Sequence, residues 1–229
     1  MNRGQWTDKD YVEYYNKNYA SSEEEFKFFA DRLDIAPNDS LIDFGCGNGD
    51  FLAFCAPLAK SVTGVDLPGP QSELAASRLA GFANAHIIAS PFTEVNLGKT
   101  IYTKGFSRKA LHHLTHPEKK EFIANIGGNF APGALFWLED GVFFNIPGTN
   151  FTLDDIKAHL PELEEEAAVY YGDSWTSKRT DILRSFLEEF PATADYWEYC
   201  FKNAGFELLG KYPRSSFFGG MMFRRLGEP

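Results

Sequence analysis

Short apolar runs recur through the first 140 residues, and each closes at a glycine, a serine or an acid: SLIDFG, SVTGVD, AHIIAS, YTKGFS and ALFWLED. Runs of this length and character predict buried strands. The intervening stretches DFLAFCAPLA, ELAASRLAGF and PEKKEFIANIGGNF place apolar residues at helical spacing. Strands and helices therefore alternate at roughly 25-residue intervals, which predicts a parallel sheet with helical crossovers.

The flanks follow other rhythms. Residues 7–33 read as helical, with Asp8 and Asp10 as capping acids and Ser22 with Glu25 in capping-box spacing. Phe26, Phe29, Ala30 and Leu33 then share one face, and Pro37-Asn38 ends the pattern. After Asp140 the alternation stops. Residues 141–190 are helical, acidic and aromatic without a convincing strand, and read as an insertion. ADYWEYCFKNAG predicts a helix stopped at Gly205, and FELLGKY and GGMMFRRL predict a closing antiparallel pair. The expected organisation is a single domain over 1–229, with an N-terminal helical cap over 1–36 and a helical lid insertion over 141–190.

Charge sharpens this picture. Between Glu139 and Glu198, 14 acids stand against 4 bases, which accounts for the whole formal charge of −10. An acidic chain repels a phosphate backbone, which disfavours nucleic acid as a partner. Cys46, Cys55 and Cys200 are too few and too scattered for a disulfide framework or a zinc site, so no metal is expected. The opening MNRGQWTDKDYVEYY has no signal-peptide character, and no apolar run reaches the ~18 residues of a membrane span. The expectation is a cytoplasmic monomer or homodimer with no membrane span.

The candidate chemistry begins at LIDFGCGNGDF. Gly45, Gly47 and Gly49 form a turn between a strand and a helix, where free backbone N–H groups meet a ligand and no side chain blocks its approach. Asp43 stands just before the turn, where its carboxylate can accept from an ammonium group, and Asp66 closes the next strand, positioned for ribose hydroxyls. A dinucleotide fingerprint requires glycine at position 50, but the residue is Asp50, which would repel a pyrophosphate. No GK[ST] follows the glycines, so a phosphate-cradling Walker loop is excluded. The pattern prefers a nucleoside ligand with a cationic tail.

DFGCGNG, then VDL, then ALHHL after the fourth strand, then APGALFWLED resembles the class I S-adenosylmethionine-dependent methyltransferases, small-molecule branch. The resemblance covers the frame from about Leu41 to Asp140 and the closing AGFELL. It implies a Rossmann-like α/β fold: a mostly parallel seven-stranded sheet with helices on both faces, an antiparallel last strand and a helical lid after strand five. It implies S-adenosylmethionine as cofactor and S-adenosylhomocysteine as product. By position, Asp43, Gly45, Cys46, Gly47 and Gly49 would surround the methionine end. Asp66 would bind the ribose, Leu67 would lie against adenine, Ser90 and Pro91 would lie beside the adenine amino group, and Ser107 would lie under the methionine. Tyr15 and Tyr19 would cap the site from the N-terminal helix. Tyr102-Thr103 and Ala134 depart from the family's usual pattern.

The implied reaction is methyl transfer to a small-molecule acceptor at an N, O, S or C atom, with an amine or an aromatic, apolar acceptor favoured. His112 and His113 are the candidate bases, although a histidine at such a turn also commonly packs or bonds backbone. Arg108 and Lys109 either reach an anionic acceptor or lie on the surface. Phe143, Phe144, Tyr170, Tyr171, Trp175 and Phe217 are candidate pocket residues. Rings among carboxylates suit a cation; the bland alternative is a solvated acidic helix and rings that fill the lid's own core. Two other readings stand beside catalysis: a non-catalytic binder of S-adenosyl ligands or regulatory protein, and a nicotinamide-dependent oxidoreductase, which Asp50 argues against.

Overall fold

The computed structural model describes residues 3–150 and 152–227. Residues 1–2 and 228–229 of the single-domain reading, and position 151 of the insert, lie outside the described residues. Five strands run parallel: β1 (Ser40–Phe44), β2 (Ser61–Asp66), β3 (Ala85–Ala89), β4 (Tyr102–Arg108) and β5 (Phe130–Phe143). A two-residue strand β6 (Ala192–Thr193) pairs with the end of β5. β8 (Phe218–Arg225) enters antiparallel between β5 and β7 (Phe206–Pro213). The main order is β3-β2-β1-β4-β5-β8-β7. It reverses between β1 and β4, and ligands of open α/β sheets bind outside the strand ends at such a switch point. This is the Rossmann-like α/β frame that the sequence implied.

Strand residues alternate between two cores. Ile42, Phe44, Phe136 and Leu138 pack on one face with α5 (His116–Gly127) and α9 (Ala194–Asn203). Leu41, Phe106 and Trp137 pack on the other with α2 (Glu23–Leu33), α3 (Asp50–Cys55) and α4 (Pro70–Leu79). This is the period-two pattern of a sheet buried on both sides.

The N-terminal segment forms α1 (Lys9–Tyr19) before α2. Asp8 caps α1, accepting from the backbone N–H groups of Asp10 and Tyr11. The Ser22 hydroxyl caps α2 by accepting from the Glu25 N–H at 3.2 Å. The Glu25 carboxylate points the other way, to Arg108 at 3.0 Å and Arg214 at 3.1 Å, so tertiary ion pairing takes the side chain that the capping-box spacing suggested for the helix end.

After β5, α6 (Leu153–Ala158), α7 (Leu160–Tyr171) and α8 (Trp175–Glu188) form a separate layer. Phe143, Ile156, Leu163, Ala167, Phe186 and Phe217 make its own core. Tyr14 and Tyr19 of α1 both donate to Asp181 of α8, at 3.3 and 3.1 Å, so α1 and this layer touch. Among the described residues no helix is long and apolar enough to cross a membrane.

Tight packing across the sheet rests on small residues. A Cβ at Gly105 in β4 would lie 2.3 Å from a Phe136 ring carbon and 2.8 Å from Phe130. Gly105→Ala is therefore expected to destabilise the fold by about 1–3 kcal/mol through overpacking. Urea unfolding checks this, and an unchanged midpoint would refute it.

Candidate functional site

The three glycines after β1 all hold left-handed backbone, with φ of 83° at Gly45, 54° at Gly47 and 79° at Gly49. The Gly45 and Cys46 N–H groups both donate to the Val65 carbonyl, at 2.8 and 3.2 Å, which ties the turn to β2. A Cβ at Gly45 would sit 2.2 Å from that of Ala110, so the turn passes hard against the segment after β4. Gly49 has a different task. It precedes α3, and a Cβ there would meet Ala75 of α4 at 3.1 Å.

Two acids flank this turn. Asp66 Oδ2 accepts from the Gly47 N–H at 2.7 Å and Oδ1 from the Leu67 N–H at 2.8 Å. Burial raises its pKa, and these two backbone bonds oppose the rise. Each ionised carboxylate oxygen has a second lone pair, so Asp66 retains capacity for two hydroxyl donors. Asp43 is 3% exposed, and its Oδ1 has no hydrogen-bond partner among the described residues. Burial first, and then the charge of Asp66, push the Asp43 pKa well up. An unpartnered buried carboxylate is costly unless a cation or donor meets it. The ammonium group of a methionine moiety would meet that need, so the residues present fit the expected cofactor.

A cavity of about 200 Å³ opens above the strand ends. Asp43, Gly45, Cys46, Gly47, Asp66 and Leu67 line it from the sheet side, and Tyr15 and Tyr19 line it from α1. The two tyrosine rings stack at 4.9 Å, and Trp6 meets Tyr15 edge-on at 4.9 Å. Four expected residues are not among its walls. Gly49 serves helix packing, and the Ser107 hydroxyl is fully buried and donates to the Phe44 carbonyl at 2.8 Å. The Ser90 hydroxyl donates to the carbonyl of Pro91, and Phe92, one residue on, reaches the cavity in their place. Trp6, Asn16 and Gln71 also line it. Asn16 and Gln71 exchange hydrogen bonds of 3.1 and 3.0 Å, a long-range pair for which sequence spacing offers no signal.

A second cavity of about 290 Å³ lies under the helical layer. It shares Trp6, Tyr15, Tyr19, Lys109, His113 and Glu189 with the first, so the two adjoin. Tyr170, Tyr171 and Phe217 are on its wall. Phe143 and Trp175 instead belong to the core of α6–α8, and Phe144 packs on the core beside α5 and α9. The acids Glu162, Glu164, Glu165 and Glu166 of α7 line neither cavity. Glu164 pairs with Arg179 of α8 across the layer.

Two charge clusters brace this second cavity. Buried Glu139 accepts from Arg108 at 2.8 Å and from Arg214 at 3.1 Å, and Glu25 bridges the same two guanidinium groups. On the other side His112 Nδ1 meets Asp140 at 2.5 Å and Nε2 meets Glu189 at 3.2 Å. His113 Nδ1 lies 3.4 Å from the other Glu189 oxygen. Asp140 also accepts the N–H groups of Leu111, His112 and Gly141. Burial alone would lower His112, but Asp140 and Glu189 outweigh it and raise its pKa to about 10. Burial and the neighbouring His112 cation lower His113 to about 3. His112 therefore holds its proton at neutral pH, and His113 is uncharged and weakly basic. The donors of His112, His113 and Glu189 lie within 4.8 Å of one another, close enough to share a metal ion. The carboxylate–imidazolium chain accounts for these contacts from protein groups alone.

Residues 41–133 match a family model described as a methyltransferase domain. No curated protein matches the chain. Among solved structures, an O-methyltransferase family protein from Burkholderia thailandensis is similar at a TM-score of 0.72 and 13% identity, over 99% of this chain and 63% of that one. A putative sarcosine dimethylglycine methyltransferase from Galdieria sulphuraria is similar at 0.67 and 14%, over 89% and 86%. N-methyltransferase NodS from Bradyrhizobium japonicum, in complex with S-adenosylhomocysteine, is similar at 0.64 and 12%, over 97% and 95%. At these identities the structural likeness is one of fold.

The His112 cluster has a pH signature. Its pKa lies above the unfolded value of 6.5, so its contribution to stability is full below about pH 6.5 and is lost as pH rises to about 10. The wild type should lose urea stability across that window relative to His112→Gln. The variant, which leaves two carboxylates facing each other, should be about 3 kcal/mol less stable near pH 6. Parallel pH profiles for the two proteins would refute the assignment.

Proposed function

We infer that this chain, whose residues 41–133 match a methyltransferase domain, is a class I S-adenosylmethionine-dependent methyltransferase that transfers the methyl group to a small molecule held in the second cavity. The adjoining of the two cavities carries this reading: one holds the glycine turn and its acids, the other is closed by α7 and α8, and Tyr15, Tyr19, Lys109 and His113 line both. The family frame would be shared by a chain acting on a macromolecule; the roofed second chamber is the feature that suits a small acceptor.

Within this reading Asp43 accepts the ammonium group of the methionine end and Asp66 accepts the ribose hydroxyls. Leu67 and Phe92 present apolar surface to the adenine. When bound, S-adenosylmethionine supplies an electrophilic methyl on a sulfonium that carries its own leaving group. The chain's task is then alignment and exclusion of water. The ring stack of Trp6, Tyr15 and Tyr19 supplies part of the exclusion, since it covers the junction between the chambers.

The histidines bear on the acceptor atom. A useful general base has a pKa near the working pH. His112 lies well above it and His113 well below it. We assign His112 to holding Asp140 and Glu189 in place, and His113 to shaping the chamber wall. The acceptor is then one whose nucleophilic atom attacks without giving a proton to either ring, such as an uncharged amine.

Three measurements test these statements. Methyl-labelled S-adenosylmethionine incubated with the protein and a cell extract should put label in the small-molecule fraction; label confined to protein or nucleic acid would overturn the acceptor class. Asp66→Ala should weaken S-adenosylhomocysteine by about tenfold or more in calorimetry, through loss of hydrogen bonds to a charged group; unchanged affinity would refute the ribose role. His113→Gln should lower kcat by less than about tenfold, whereas loss of a general base would cost about 100- to 10,000-fold.

A further inference from the structure

The second cavity presents an unbalanced set of charges. Four of the carboxylates on its wall are Glu25, Asp140, Asp181 and Glu189. Each is already engaged. Glu25 holds Arg108 and Arg214, Asp140 holds His112, and Glu189 holds both histidines. Asp181 accepts from Tyr14 and Tyr19 and lies 4.0 Å from Arg184. Both arginines on the wall are likewise bound to carboxylates.

Lys109 and Lys178 remain. Among the described residues neither ammonium group has a carboxylate partner or a hydrogen-bond acceptor. Both instead lie over the same ring: Lys178 Nζ is 4.9 Å from the Tyr19 centroid and Lys109 Nζ is 5.7 Å from it. Tyr171 flanks Lys178 at 5.4 Å and Phe218 flanks Lys109 at 5.9 Å. The two cations thus reach the same ring from different elements, one after β4 and one on α8, with further aromatic surface beside each.

The backbone at Lys109 is also unusual. Only Asp34 and Lys109 among the described non-glycine residues have left-handed φ, and Asp34 is explained as the C-cap of α2. Lys109 has φ of 52° and ends no helix. Its N–H donates to the Glu139 carbonyl at 2.9 Å, which holds the strained residue at the cavity. Strained non-glycine residues cluster at ligand sites, where the fold holds one side chain in a set direction. Burial first, and then the charge of Arg108, lower the Lys109 pKa to about 7; Glu25 and Glu139 oppose that shift without pairing with the ammonium group.

We propose that Lys109 and Lys178 bind an anionic group, a carboxylate or a phosphate monoester, on the methyl acceptor, with Tyr19 and Tyr171 packing on the body of the same molecule. An anion there supplies the paired counter-charge that both ammonium groups lack. The acceptor is thus an acid rather than a free cationic amine; an amino acid or amino phosphate with its amine uncharged satisfies both this site and the absence of a poised histidine base. This inference rests on the second cavity being the acceptor site.

The test uses the whole chain saturated with S-adenosylhomocysteine, titrated by calorimetry with benzoate, phenyl phosphate and benzamide. At least one anion should bind about tenfold or more tightly than the neutral amide, and the tighter anion identifies carboxylate or phosphate as the group recognised. Lys109→Met and Lys178→Met should each remove about tenfold of anion affinity and leave benzamide unchanged. Lys178 is part-exposed on α8 and lines only the second cavity, so Lys178→Met should keep full S-adenosylhomocysteine affinity and carries the test if Lys109→Met folds poorly. Equal binding of the three probes, no binding of any, or anion affinity retained in the double variant would each overturn the proposal. Failure of S-adenosylhomocysteine to bind the wild type would overturn the donor reading and this one with it; intact donor binding with no anion preference overturns this one alone.

Discussion

The site depends on how closely two loops approach each other at the sheet's switch point. The turn after β1 can reach Ala110 only because residue 45 has no side chain, since a Cβ there would lie 2.2 Å from that of Ala110. This approach brings Asp43 and the segment from Arg108 to His113 to one crevice. The left-handed glycines also turn the chain into α3 quickly enough for the Gly45 and Cys46 amides to pin the loop on Val65. A side chain at position 45 would therefore move the wall between the two cavities as well as block one of them.

A second constraint is electrostatic. Arg108, Glu139, Glu25 and Arg214 join the ends of β4 and β5, helix α2 and the turn after β7. His112, Asp140 and Glu189 join the turn after β4, the end of β5 and the end of α8. Buried ion pairs are weak evidence of stability, because desolvation offsets much of their attraction. Breaking one partner is still costly, so such clusters hold their members in register. Here they position the end of α8 against the sheet and leave the two lysines as the uncommitted charges.

The frame was largely legible in the sequence because it is written in local patterns. The seven principal strands follow from apolar runs and their terminators, and the helices between them from spacing. β5 exceeds ALFWLED at both ends because Phe130 pairs with Tyr102, and Val142 and Phe143 pair with β6. Those extensions depend on partners distant in the chain. The glycine turn and its acids were legible for the same local reason, since strand, turn and helix are contiguous. Ser107 shows the limit: its position at the end of β4 is readable, but its hydroxyl turns inward to Phe44. The aromatic insert shows it again. Spacing cannot say which rings fill only the layer's own core, as Phe143 and Trp175 do, which reach the cavity, as Tyr170 does, and which do both, as Tyr171 does.

Net charge was the least transferable of the sequence observations. Residues 139–198 carry the whole excess of acid, which on composition alone suits a cationic ligand. In the fold, the acids of α7 line neither cavity, and the carboxylates that do line the second one are held by arginine, histidine or tyrosine. The sign a ligand meets is set by the charges left without partners, not by the total. Unpartnered ammonium groups over an aromatic ring attract an anion even within an acidic segment, because at contact range a buried pair is screened far less than distant surface charge. An acidic net charge and a chamber whose free charges are cationic are thus compatible in one molecule.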